Sequence, residues 1–66
     1  MAVAKILEIT SSSNTGTDDA VKAGIAKAAE TVHGITGAWI KDEEVIVTDG
    51  QISEWRVNLK ITFLLD

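Results

Sequence analysis

From Gln51 to Leu65 apolar and polar side chains take turns, with Trp55, Val57, Leu59, Ile61, Phe63 and Leu65 on one side and Glu54, Arg56, Asn58, Lys60, Thr62 and Leu64 on the other. A period of two is that of a β-strand. One face of this strand is continuously apolar and must be covered, while the other is mixed and free to meet water, a ligand or a neighbouring subunit. Two residues earlier, Asp49-Gly50 forms the kind of dipeptide that closes a β-hairpin, so the strand is the second arm of a hairpin. The first arm, Ile35 to Val47, places Gly37, Trp39 and Lys41 on one face and Ala38, Ile40 and Asp42 on the other, and ends in the β-branched run Val45-Ile46-Val47. Between the two parts lies the acidic knot Asp42, Glu43 and Glu44, where the alternation drifts in the manner of a β-bulge.

The first half of the chain follows a different period. Ala2 to Thr10 is extended, with Val3, Leu7 and Ile9 on one side and Ala4, Ile6 and Glu8 on the other; apolar residues on both sides predict at least partial cover of both faces. Ser11 to Thr17 is small, polar and Gly-containing, and reads as a loop. From Asp18 to His33 the residues Val21, Ile25, Ala28 and Val32 recur at helical spacing and form one apolar stripe, flanked by Ala20, Gly24 and Thr31, which are small enough to let a helix approach a sheet closely. Gly16 or Thr17 serves as N-cap, and Asp18 and Asp19 fall in the first turn, where the helix dipole favours negative charge. Those carboxylates would repel an anion, so the loop reads as a helix start and not an anion site. Gly34 ends the helix at C′, with His33 in the last turn as a surface cap.

The order β-α-β-β therefore describes an α+β domain covering residues 1–66. Its lengths do not match. A sixteen-residue helix spans roughly 24 Å at 1.5 Å per residue, and a strand from Ile52 to Leu65 roughly 46 Å at 3.3 Å per residue. One helix cannot cover that strand, and an open sheet with free edges is normally hidden in native proteins. The pattern predicts a homo-oligomer.

Composition narrows this further. At 66 residues the chain buries only ~60% of its unfolded surface. With no Cys and one His, neither disulfides nor a zinc framework can staple it, which again points to self-association. A net charge of −4 argues against a phosphate-backbone partner, so nucleic acid is excluded as a target. No apolar run approaches ~20 residues, and Met1 to Thr10 is interrupted by Lys5 and Glu8, so neither a membrane span nor a signal peptide is predicted and a cytoplasmic protein is expected. Catalytic chemistry has no support: there are no paired acids with a nucleophile and no phosphate-cradling Gly-rich loop, so no catalytic residue is assigned. Asp42 and Glu44 share a strand face and Glu43 takes the other. A calcium-like site of six to eight oxygens would therefore need ligands from symmetry-related copies.

Lys5-Ile6-Leu7-Glu8-Ile9, Asp18-Asp19-Ala20-Val21, Ala26, Ala28 and Thr31, then Asp49-Gly50, Val57, Leu59-Lys60 and Phe63, in this spacing over essentially the whole chain, resemble the dodecins. The resemblance implies a three-stranded antiparallel sheet curled around one helix, assembling with itself as a hollow homododecamer. It also implies a storage or sequestration role, with flavin (FMN, FAD or riboflavin) as the ligand in many members. In those members a Trp on the second strand stacks on the flavin ring and a Gln on the third strand bonds its polar edge. The Trp position here is Gly37 and the Gln position is Arg56. Gly37 offers no ring to stack on, and Arg56 donates without accepting, so the sequence resembles a branch that keeps the shell and lacks the usual flavin residues. Trp39, two positions beyond Gly37 on the same face and about 7 Å along it, offers an indole within reach of a shifted ligand or, alternatively, an interface anchor. An Arg at position 56 suits a phosphate or carboxylate. A calcium-like cation on Asp42, Glu43 and Glu44, or a purely structural assembly, are the alternatives. Trp55, on the apolar face, is expected in the core.

Overall fold

The computed structural model describes residues 2–65; Met1 and Asp66, the two ends of the predicted domain, lie outside the described residues. Strand β1 (Ala4–Ser13), helix α1 (Thr17–Ala29), strand β2 (Ile35–Thr48) and strand β3 (Gln51–Leu64) follow one another in the predicted order. The sheet runs β1-β3-β2 with both pairings antiparallel. The strand with the cleanest alternation is thus the central one, and α1 lies across one face. Val57, Leu59 and Ile61, alternate residues of β3, are fully buried beneath it.

The β2–β3 turn is as the dipeptide predicts. Asp49 and Gly50 adopt φ of 53° and 77° between the paired residues Thr48 and Gln51, the two positive φ values that a type I′ hairpin requires. The predicted bulge is present too. The register slips between Ile40 and Asp42, making Lys41 the extra residue, and slips again at Ile35/Gly37 and Ile46/Val47.

Three expectations need correction. Ser11, Ser12 and Ser13 belong to β1 and not to a loop, paired with Val57, Arg56 and Trp55. Ser13 is buried where β1 turns into α1; its Oγ donates to Asp19 Oδ2 at 2.7 Å and accepts the Thr15 N–H at 3.0 Å. The cover expected on both faces of β1 is found on one, since Ile6 on the face away from α1 is exposed. The helix, second, stops at Ala29, four residues before His33. Thr31 and Val32 are β-branched and favour the helix less than Ala. The last turn tightens, with the Glu30 and Thr31 N–H groups donating to Lys27 and Ala28 carbonyls at 3.2 Å. His33 is exposed beyond the helix and caps nothing, and Gly34, at φ 78°, turns the chain so that its carbonyl accepts the Leu64 N–H at 2.9 Å.

The third correction concerns the buried face of α1. The residues pressed on the sheet are Ala20, Gly24 and Ala28, while Val21 and Ile25 pack from the side. The smallest side chains face the sheet because α1 and β1 nearly touch there. A Cβ at Gly24 would stand 2.9 Å from Ser11 Cβ and 3.1 Å from Leu59 Cδ1. Close approach gives a dense but small core. Thirteen helical residues reach roughly 20 Å, whereas the molecule is 50 Å long. Trp55 is consequently half-buried past the end of α1, opposite Ser13 and Val45, and not in the core. Val45, Val47 and Ile52 near the hairpin tip stay exposed.

Candidate functional site

Directly opposed residues in an antiparallel sheet point to the same side, with Cβ atoms about 4.5–5.5 Å apart. The register therefore fixes what lies on the sheet face turned away from α1. Four rows cross it: Ser12–Arg56–Glu44, Thr10–Asn58–Asp42, Glu8–Lys60–Trp39 and Ile6–Thr62–Gly37. All three residues singled out for ligand binding lie on this face.

They do not meet in one chain. Gly37 is opposite Thr62 and Trp39 opposite Lys60, which bears out their shared face. Arg56 lies four and six β3 residues from these partners, hence roughly 13 and 20 Å away at 3.3 Å per residue. A site containing Arg56 together with Gly37 or Trp39 would take them from different copies. Gly37 has open space around it, with nothing within 4 Å of where a Cβ would be. Trp39 is 72% exposed, the most exposed of the large apolar side chains among the described residues.

Arg56 is already occupied. Its guanidinium bonds Glu54 Oε1 at 3.2 Å and pairs with Glu44 Oε1 at 3.6 Å. A hydrogen bond accepted from the Ser12 hydroxyl, then one from the Arg56 guanidinium, hold the Glu54 carboxyl below its ordinary value. Two carboxylates around one guanidinium leave a local negative balance, so an anion reaching Arg56 would have to displace them. The residues present do not fit a flavin at the usual positions, lacking both the ring and a free amide.

In the next row Asn58 bridges the strands: Thr10 Oγ1 donates to its Oδ1 at 2.6 Å, and its Nδ2 donates to Asp42 Oδ1. Asp42 and Glu44 share the outer face and Glu43, opposite Val57, takes the other, as predicted. Among the described residues no three His, Asp or Glu side chains come close enough to hold a metal ion. The row containing Trp39 and the bulge beside it together carry positive charge instead. Lys60 Nζ and Lys41 Nζ each lie 3.7 Å from a different oxygen of Glu8. Sequence reading put Lys60 on the face of Arg56 but missed this cluster, because Glu8 comes from β1 and Lys41 from the bulge of β2.

No helix among the described residues is long and apolar enough to cross a membrane. A search of curated proteins finds no match. The dodecin family model matches residues 3–66. Among solved structures, the dodecin from Streptomyces davaonensis is 31% identical with a TM-score of 0.93, over 98% of this chain and 96% of that one. The dodecin from Streptomyces coelicolor is 26% identical with a TM-score of 0.94, over 98% and 93%. Calcium dodecin from Mycobacterium tuberculosis, a calcium-chelating immunodominant antigen with a novel calcium-binding site, is 25% identical with a TM-score of 0.83, over 97% and 91%. With the strand order, the helix across one sheet face and a family match spanning nearly every residue, this chain belongs to the dodecin family.

Proposed function

We propose that this dodecin is a homododecameric protein that binds and sequesters a small planar ligand without transforming it, and that the ligand stacks on Trp39. The observation that carries the reading is the 72% exposure of an indole on the sheet face turned away from α1, two residues beyond Gly37, where flavin-binding members place their stacking ring. Assembly is supported by the small core: among the described residues Ala20, Ala28, Val57, Leu59 and Ile61 are the buried apolar ones, against nine exposed large apolar residues. So much unpartnered apolar surface marks an interaction surface. Native mass spectrometry of the freshly purified protein tests both parts, since it reports the subunit count and any retained molecule. A twelvefold assembly that quenches riboflavin or FMN fluorescence, with the quenching lost in Trp39→Ala, is the expected result. A stable monomer at micromolar concentration, or flavin fluorescence unchanged by the protein, would overturn it.

A cation-binding shell is the second reading. Its support is the acidic balance of Glu44 and Glu54 at the single Arg56, with Asp42 in the adjoining row. Because Glu43 faces the other way, six to eight oxygens would have to come from several copies. Elemental analysis without stoichiometric metal, and a melting temperature unmoved by calcium, would dismiss it.

A further inference from the structure

Glu8, Lys41 and Lys60 form a cluster that the architecture does not need. One carboxylate serves two ammonium groups, leaving the cluster of Glu8, Lys41 and Lys60 beside Trp39 with a net positive charge. Both contacts, at 3.7 Å, are well outside the ~2.7–2.9 Å of a strong charged hydrogen bond, so each ammonium keeps donors unspent. The side chains are 50% (Lys41), 56% (Glu8) and 41% (Lys60) exposed, open to exchange with a solute. Beside them is a depression of about 300 Å³ lined by Glu8, Ile9, Thr10, Lys41 and Asn58. Lys60 is the direct cross-strand partner of Trp39, so a ring stacked on the indole lies within reach of its ammonium. By contrast, Arg56, the cation at the usual family position, is held by two carboxylates.

From this arrangement we infer that Glu8 holds the place of a ligand anion, and that Lys41 and Lys60 select planar aromatic molecules carrying a phosphate over the same ring without one. The inference rests on the stacking role proposed for Trp39. When the ligand binds, its phosphate takes over the two ammonium groups and Glu8 turns to solvent. This assignment differs in sign from a merely structural ion-pair cluster, because removing the Glu8 charge strengthens binding.

FMN and riboflavin share one ring system and differ in the phosphate, so their dissociation constants, read by flavin fluorescence quenching in low salt, are the test. FMN is expected to bind the parent about tenfold tighter, equivalent to about 1.4 kcal/mol. The double variant Lys41→Gln/Lys60→Gln lowers that ratio to about one with riboflavin unchanged, and Glu8→Gln raises it. Riboflavin binding also serves as the control for folding in each variant. Equal affinities for the two flavins in the parent, or a Glu8→Gln variant that weakens FMN alone, would overturn the phosphate selection and leave stacking on Trp39 intact. Absence of binding by either flavin would remove both.

Discussion

The packing of α1 on β1 makes a quantitative prediction at Gly24. In a helix Ala is favoured over Gly by about 1 kcal/mol, so Gly24→Ala ought to stabilise if nothing opposes it. What opposes it is a methyl group 2.9 Å from Ser11 Cβ, 3.2 Å from Ser11 Oγ and 3.1 Å from Leu59 Cδ1. Leu59 has little room to move in the core, and Ser11 Cβ is bonded directly to a backbone held in register with Val57. Overpacking of this kind costs about 1–3 kcal/mol. With two rigid neighbours the upper part of that range applies, leaving a net loss of about 1–2 kcal/mol after the gain in propensity. Urea unfolding followed by far-UV circular dichroism, at one fixed protomer concentration because association contributes to stability, should show a lower midpoint with an unchanged slope. In a Ser11→Gly background two of the three clashes vanish, and the same substitution should cost less by at least about 0.5 kcal/mol. A Gly24→Ala protein as stable as the parent would refute the close-contact account of this helix.

Acid sensitivity follows from Glu54. Its folded pKa lies below the ordinary 4.5, so the stability it contributes is present above that value and is lost as pH falls through the lower folded value. Glu54→Gln should therefore lose stability less steeply than the parent on acidification below pH 4.5, and parallel denaturation curves would contradict the assigned hydrogen bonds. Gly37 has open space where a Cβ would stand, so Gly37→Trp with Arg56→Gln, which recreates the residues of flavin-binding members, should fold and bind riboflavin more tightly than the parent in a fluorescence titration. An unchanged affinity would mean that these two positions do not form the site in this chain. Asn58→Ala removes both cross-strand hydrogen bonds, to Thr10 and Asp42, and should lower stability by about 1 kcal/mol in the same urea assay.

Much of the architecture was legible because it depends on local rules. The alternation of Val57, Leu59 and Ile61 named the buried face of β3, and Asp49-Gly50 named the hairpin. The drift at Asp42 to Glu44 located the bulge. The errors came where contact distance outranked hydrophobicity. Ala28 lies in the core as its place in the stripe predicts, yet Ala20 and Gly24 join it there instead of Val21 and Ile25, because only small residues allow so close a crossing. Serines at 11 to 13 look like a loop, yet they pair as strand, since β3 offers Val57, Arg56 and Trp55 as partners, and at Ser11 the closeness of Gly24 leaves no space for a larger side chain.

The candidate site divides in the same way. Gly37 and Trp39 could be placed on one face of β2 from their spacing, and the departure of Gly37 and Arg56 from the flavin-binding pattern was visible residue by residue, but that Arg56 shares their face is set by the β2–β3 register. That Arg56 is held by Glu44 and Glu54 while Glu8 is shared by Lys41 and Lys60 depends on residues up to 52 positions apart, between Glu8 and Lys60. The sequence by itself determined the elements, the hairpin turn and a strand too long for its helix, because periodicity and rise per residue are local properties. Tertiary structure alone decided which carboxylates pair with which cations, because the register of three strands sets which charges face one another.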